Sequence, residues 1–132
     1  MKIMLIVILL MISIKVLAPG GPKYIAMKAS EAISKYDALI KAIVWVESRN
    51  GIYVFNPKEN AVGWFQIRQC RVDHYNRLTG NNYSLKDCYD YDLSREIFLL
   101  FAKGKDFETA ARNWNGSGEK TIEYWNKVKV RL

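Results

Sequence analysis

LIKAIVWVESRNG, residues 39–51, carries a strong helical pattern. Its apolar residues recur every three or four positions, which is typical of the buried face of an amphipathic helix. Gly51 follows as a stop signal, because glycine readily adopts the left-handed conformation that ends helices. Glu47 falls on the same face as Ile40 and Val44. The pattern therefore predicts a helix that carries a carboxylate into or beside the core.

A carboxylate in that position is expected to have a raised pKa, for two reasons. Loss of water disfavours the anion, and so does the negative end of the helix dipole. A carboxylic acid that stays protonated near neutral pH is suited to protonating a glycosidic oxygen. From the helix alone there is an alternative, in which Glu47 reaches solvent or pairs with Arg49 or Arg68.

Further helices are predicted along most of the chain, separated by breaks rich in glycine and asparagine. They span residues 65–78, as one helix or as two pieces, and residues 92–103, 106–114 and 119–130. Residues 51–63 predict a loop or a short hairpin, because they contain Asn, Pro and Gly. The predicted fold class is mainly α, a small helical domain with at most a minor β element.

The first 18 residues have the pattern of a secretory signal peptide. Lys2 precedes an apolar run over residues 3–14, and Ala18 ends the segment. Lys15 interrupts the run too early for the ~20 apolar residues of a membrane span. A retained anchor is the alternative. We therefore expect export to the periplasm, the cell envelope or the exterior, with the membrane contacted only through this N-terminal segment.

The rest of the chain predicts one domain, with residues 19–35 as a linker and the start of the first helix, and residues 36–132 as the domain itself. The full sequence has 20 Lys and Arg against 13 Asp and Glu, which favours an acidic polymer, a membrane surface or cell-wall material as partner. Nucleic acid is disfavoured, because the basic residues are scattered and no aromatic-plus-basic run occurs. We expect a monomer.

The cysteine and histidine content bears on cross-links and metals. Cys70 and Cys88 predict a disulfide in an exported protein, the alternative being two buried thiols. Two Cys and one His are too few ligands for a structural zinc site. No metal and no cofactor is expected. His74 has no partner at a matching spacing and is interpreted as an ordinary surface or half-buried residue.

Four short blocks follow one another along residues 36–130. They are Glu47-Ser48, GWFQI at residues 63–67, NWNG at residues 113–116, and a Thr121, Tyr124, Val128 set. In this order they resemble the soluble lytic transglycosylase and goose-type lysozyme family. In that family a Glu-Ser pair closes a helix, and a Gly-Leu-Met-Gln-like segment and a Tyr-Asn-Gly-like turn follow. The resemblance implies a lysozyme-like domain that cleaves the bond between N-acetylmuramic acid and N-acetylglucosamine in peptidoglycan.

The resemblance also implies residue roles. Glu47 would act first as general acid and then as base, leaving a 1,6-anhydro end. Gln66 and Asn115 would hydrogen-bond the sugar's amide and hydroxyl groups. Tyr124 would place its hydroxyl near Glu47. A structural alternative stands beside each: amides that stabilise turns for Gln66 and Asn115, and a core position for Tyr124.

Three further residues complete the predicted site. Ser48 would orient the Glu47 carboxylate or the backbone below it. Tyr53 and Trp64 are candidate stacking surfaces, because aromatic faces pack well against the C–H faces of pyranose rings. A core position is the alternative for Trp64.

Two other functions stay open at this point. A lysozyme-type hydrolase needs a second carboxylate, for which Glu59 and Asp73 are candidates. A non-catalytic peptidoglycan-binding or assembly protein would keep the fold without the reaction. The expected partners are glycan strands of peptidoglycan. An envelope-spanning secretion or conjugation apparatus is a further candidate partner, since family members of this size often serve one.

Overall fold

The computed structural model describes residues 35–132. The signal-peptide, anchor and linker predictions for residues 1–34 lie outside this part of the chain. Among the helices within it, none combines the length and the apolar character that crossing a bilayer requires.

The described chain is mainly helical with one small sheet, which confirms the predicted fold class. The elements are α1 (Asp37–Ser48), β1 (Phe55–Asn56), β2 (Ala61–Val62), α2 (Gln69–Thr79), a 3₁₀ helix (Leu85–Tyr89), α3 (Tyr91–Ala102), α4 (Phe107–Asn115) and α5 (Lys120–Lys129). The two strands form an antiparallel hairpin in which Phe55 pairs with Val62 and Asn56 with Ala61.

The predicted helix over residues 65–78 is wrong at its start, because α2 begins only at Gln69. Gln66 has a φ of 51°, in the left-handed region, which a right-handed helix cannot accommodate. Ile67 then forms an isolated antiparallel bridge with Val62. Phe65 and Ile67 are both buried, so this turn and its bridge pack beside the hairpin and form one layer with it, which we call the hairpin layer.

α1 packs into the centre of the core. Its buried residues are Leu39, Ile40, Ala42, Ile43, Val44 and Ser48. α4 and α5 pack against it and against each other. The aromatic ring of Phe65 joins this core from the hairpin side, with its centroid 5.7 Å from that of Phe98 and 6.3 Å from that of Trp114. The apolar face of α1 thus fixes the place at which its last turn emerges.

The hairpin layer approaches the 3₁₀ helix at Gly63. This residue has a φ of 78°, and a β-carbon built on it would lie 2.1 Å from the carbonyl oxygen of Cys88. No side chain fits in that space. Gly63 therefore lets the segment that carries Trp64 and Gln66 lie directly against the 3₁₀ helix.

The predicted disulfide between Cys70 and Cys88 is not present. Both thiols are unbonded, with Cys70 exposed near the start of α2 and Cys88 fully buried. The alternative of two buried thiols also fails, because Cys70 faces the surface. The two residues lie in different surroundings, Cys70 at the edge of a pocket and Cys88 in the core.

Candidate active site

Glu47 lies in the last turn of α1, where the buried face of the helix meets a pocket. The side chain is partly buried, and Tyr124 Oη donates a hydrogen bond of 2.7 Å to its Oε1. Within residues 35–132 it forms no ion pair with Arg49 or Arg68. The Arg49 guanidinium instead lies over the ring of Trp45, 5.0 Å from its centroid.

Burial raises the pKa of Glu47 from 4.5 to about 7. The hydrogen bond from Tyr124 acts in the opposite direction, because it stabilises the anion. Two charges have smaller effects: Glu59 raises the pKa and Arg68 lowers it. Burial and the nearby Glu47 raise the pKa of Tyr124 well above its usual value, so its hydroxyl remains a donor at neutral pH. Glu47 is therefore able both to give and to take a proton near pH 7.

The pocket beside Glu47 has a volume of about 430 Å³, including the part that is open to solvent. It brings together three residues that the sequence predicted for the site: Glu47, Gln66 and Asn115. Its other lining residues are Glu59, Ile67, Arg68, Cys70, Arg71 and Trp114. A proton donor thus faces an open pocket whose walls carry amide, carboxylate and guanidinium groups.

The loop around Gln66 fixes the direction of its amide. Nε2 donates to the carbonyl oxygens of Gly63, at 3.0 Å, and Tyr53, at 3.1 Å. With both N–H groups engaged, no donor within residues 35–132 reaches Oε1. The left-handed backbone of Gln66 turns this side chain towards the pocket. An amide oxygen held in this way is suited to accepting a hydrogen bond from an N–H group of a ligand.

Asn115 is the last residue of α4. The end of this helix is fixed by its neighbour Trp114, which is buried and whose Nε1 donates to the carbonyl oxygen of Phe65 at 3.2 Å. That bond joins α4 to the segment that carries Gln66. The two amide side chains therefore reach the same pocket from two elements that are tied together.

Ser48 supports the backbone below Glu47. Its Oγ lies 2.9 Å from the carbonyl oxygen of Trp64, and accepts a 2.9 Å hydrogen bond from the N–H of Gly51. The side chain is fully buried and lies outside the pocket lining. Of the two roles predicted for Ser48, the geometry fits the one in which it holds the backbone.

Tyr53 and Trp64 lie outside the pocket lining. Tyr53 is 66% exposed on the loop before the hairpin, and contributes its carbonyl oxygen to the Gln66 amide. Trp64 is partly buried against the backbone of Gly51 and packs edge-on against Tyr91, with ring centroids 5.2 Å apart. A stacking role for either residue stays a prediction, and it would concern the surface beyond the pocket.

Two arginines of the pocket were not predicted as site residues. Arg68 is the N-cap of α2 and Arg71 is its third residue. The guanidinium of Arg71 lies between two aromatic rings, 4.7 Å from the centroid of Phe101 and 4.8 Å from that of Trp114. The sequence could have indicated this pair only if the start of α2 had been predicted at Gln69. With that start, Arg68 and Arg71 fall within one turn of the helix.

The other candidates behave differently. Glu59 lines the pocket, whereas Asp73 lies on the surface of α2 and accepts a hydrogen bond from Gln69. His74 is exposed, in agreement with the prediction of an ordinary surface or half-buried residue. Its ring centroid lies 5.0 Å from that of Phe101. Within residues 35–132, no three His, Cys, Asp or Glu side chains cluster in a way that would hold a metal ion.

No family model, no curated protein and no solved structure matches this chain. The residues and geometry of the pocket, together with the four sequence blocks, are therefore the basis on which a function is inferred.

Proposed function

We propose that this chain is a peptidoglycan lytic transglycosylase that cleaves the β-1,4 bond between N-acetylmuramic acid and N-acetylglucosamine, with Glu47 as its acid and base. One observation carries the proposal: a partly buried carboxyl with a pKa of about 7 opens onto a pocket and accepts a hydrogen bond from Tyr124. An acid of this pKa suits proton transfer in both directions near neutral pH.

In the proposed reaction, Glu47 donates its proton to the glycosidic oxygen while the bond from that oxygen to C1 of the muramic acid breaks. The substrate's acetamido group stabilises the developing cation, as the resemblance implies. The C6 hydroxyl then attacks C1, and its proton passes to the Glu47 carboxylate. The product carries a 1,6-anhydro end, no water is consumed, and Glu47 returns to its protonated form.

Neighbouring residues have assigned parts in this proposal. Tyr124 stabilises the Glu47 anion between the two proton transfers through its 2.7 Å hydrogen bond. Gln66 and Asn115 bind the amide and hydroxyl groups of the sugar from the pocket wall. The enzyme would act where peptidoglycan lies, outside the cytoplasmic membrane, in agreement with the signal-peptide pattern.

A hydrolase is the second candidate, and one observation favours it. Glu59 lines the same pocket as Glu47 and is close enough to raise the pKa of Glu47. Glu59 is an exposed carboxylate, and in an inverting glycosidase the second carboxylate acts as a base on water. The product would then carry a reducing end.

The test compares three variants on purified peptidoglycan: Glu47→Gln, Glu59→Gln, which probes the hydrolase, and the exposed Glu123→Gln as the matched control. Loss of a general acid costs about 10²–10⁴ in rate, so Glu47→Gln should reduce fragment release by at least about 100-fold, and Glu123→Gln should leave it unchanged. Mass spectrometry of the wild-type products separates anhydro ends from reducing ends.

The outcomes separate the candidate functions. Full activity of a folded Glu47→Gln variant would refute the assignment of Glu47 as the acid and base. Reducing ends that disappear in Glu59→Gln would replace the transglycosylase with the hydrolase. A wild-type chain that sediments with sacculi and releases no fragments would be a binding or assembly protein.

A further inference from the structure

Two guanidinium groups line the pocket without an acidic partner. Arg68 and Arg71 are three residues apart on the first turn of α2, and both face the pocket that holds Glu47. The ion pairs within residues 35–132 involve other side chains, namely Arg95–Asp37 and Arg112–Glu108. The positive charges of Arg68 and Arg71 are therefore not neutralised by a carboxylate within 4 Å in this part of the chain.

Both charges also stand at the unfavourable end of their helix. The N-terminus of a helix carries a partial positive charge, which favours acidic residues and disfavours basic ones. The first turn of α2 contains no acidic residue, and no side chain caps it. Arg68 and Arg71 are thus poorly placed for the stability of α2. An anion bound between the two arginines would interact favourably with both positive charges and with the N-terminus of the helix.

The surroundings of Arg71 hold its side chain in a defined orientation. Its Nη2 donates to the carbonyl oxygens of Asn113 and Trp114, both at 3.1 Å, at the end of α4. The rings of Phe101 and Trp114 lie against its guanidinium group. Within residues 35–132, its Nε and Nη1 groups have no acceptor. A partly buried, oriented guanidinium with unused donors is preorganised for a carboxylate.

The electrostatic balance of the pocket agrees with an anionic ligand. Glu59 is the one acidic residue there besides Glu47, and it is exposed to solvent. Below about pH 7 Glu47 is mostly neutral. The two arginines then outweigh Glu59, and the pocket has a net positive charge on the side of α2.

We propose that Arg68 and Arg71 form a carboxylate-binding subsite that recognises an acidic substituent of the glycan beside the scissile bond. The inference rests on the proposed function, and it goes further by assigning a specificity determinant. Two parts of peptidoglycan supply such a carboxylate: the lactyl group of muramic acid where no peptide is attached, and the acidic groups of an attached stem peptide.

The test measures dissociation constants in a Glu47→Gln background, which prevents turnover. The probes are a peptide-free glycan strand, the same strand with its lactyl carboxylates amidated, and a strand that carries stem peptides, again with and without amidation. We expect acid forms to bind about tenfold more tightly than amidated forms, in line with a hydrogen bond to a charged group. Adding Arg68→Gln should remove most of this preference while changing the affinity for amidated strands little.

Three variants, at Arg68, Arg77 and Arg71, keep the result interpretable. Arg68 is exposed and donates no side-chain hydrogen bond within residues 35–132, so its loss should not disturb folding. Arg77→Gln removes the same charge from the exposed far end of α2 and should leave the preference intact. Arg71→Lys retains the charge but not the planar fork, and should lower the affinity for the acid forms more than that for the amidated forms.

The possible results are distinct. A preference on peptide-free strands identifies the lactyl carboxylate, and a preference confined to peptide-bearing strands identifies the stem peptide. Both support the subsite. Equal affinity for acid and amidated strands, or equal losses on both in Arg68→Gln, would overturn it while the enzyme assignment stands. An active Glu47→Gln variant, by contrast, would refute the proposed mechanism, in which Glu47 is the acid and base.

Discussion

Burial of Glu47 makes its carboxyl a suitable proton donor near pH 7, and it lowers the stability of the folded chain where that carboxyl is charged. The pKa of its carboxyl rises from 4.5 to about 7, mainly because burial disfavours the anion. An acid with a higher pKa in the folded state than in the unfolded chain binds its proton more tightly when folded. Its contribution to stability is therefore complete below about pH 4.5, and it is lost as the pH rises through about 7.

Glu47→Gln removes this titration at nearly constant size. We expect the variant to be more stable than the wild type at pH 8 by about 1–3 kcal/mol, since each unit of pKa shift corresponds to about 1.4 kcal/mol. The difference should vanish near pH 4, where the wild-type carboxyl is neutral too. Urea unfolding at both pH values gives the two free energies. Glu123→Gln, an exposed control, should show no such gain, and equal stability of Glu47→Gln and wild type at pH 8 would contradict a buried acid.

Among the elements, the segment of residues 63–67 depends most on a single residue. A β-carbon at Gly63 would lie 2.1 Å from the carbonyl oxygen of Cys88, whereas one at Gly80 would meet nothing within 4 Å. Both glycines have a positive φ, 78° and 73°. The pair therefore separates the cost of the backbone conformation from the cost of the contact.

We expect Gly80→Ala to lower the free energy of unfolding by about 1 kcal/mol, the usual cost of a left-handed alanine. Gly63→Ala should cost about 3 kcal/mol or more, because the backbone of the 3₁₀ helix has to move as well. Chemical denaturation followed by circular dichroism measures both values. Similar losses in the two variants would mean that the segment is not held against the 3₁₀ helix.

The sequence predicted helices with strong apolar periodicity well, and it failed where tertiary pairing overrides periodicity. The helix that carries Glu47 ends at Ser48, within the predicted segment, although its left-handed cap is Arg49 and not the predicted Gly51. The start of α2 was misplaced, since the bridge between Ile67 and Val62 is a contact that no local pattern announces. The position of Arg71 in the pocket was not predicted for the same reason, because the aromatic rings that hold its guanidinium group come from α3 and α4.

At the scale of the whole molecule, the candidate site is assembled from distant parts of the chain. Glu47 and Tyr124 are 77 residues apart in sequence, yet share a hydrogen bond. Gln66 comes from the hairpin layer and Asn115 from α4. The sequence alone gives the order of these residues along the chain, but the distances between them depend on how α1, α4 and α5 pack. The site therefore depends on the integrity of one core.

That core is held together without a covalent cross-link. Cys88 is fully buried, and burial raises the pKa of its thiol to about 11, which makes it unreactive. Cys70 is exposed at the edge of the pocket. The sequence contains no other cysteine, so an intramolecular disulfide would require these two sulfur atoms to meet.

We therefore expect a reducing agent to leave the melting temperature unchanged, within about 1 °C, whereas loss of a native disulfide typically costs about 2–5 kcal/mol. A thiol reagent should label one site rapidly in the native protein and the second only on unfolding. In Cys70→Ser the rapid site should disappear, which assigns it. The prediction is wrong if the purified wild-type chain yields no titratable thiol until it is reduced and its melting temperature then falls by several degrees, because Cys70 and Cys88 are then cross-linked.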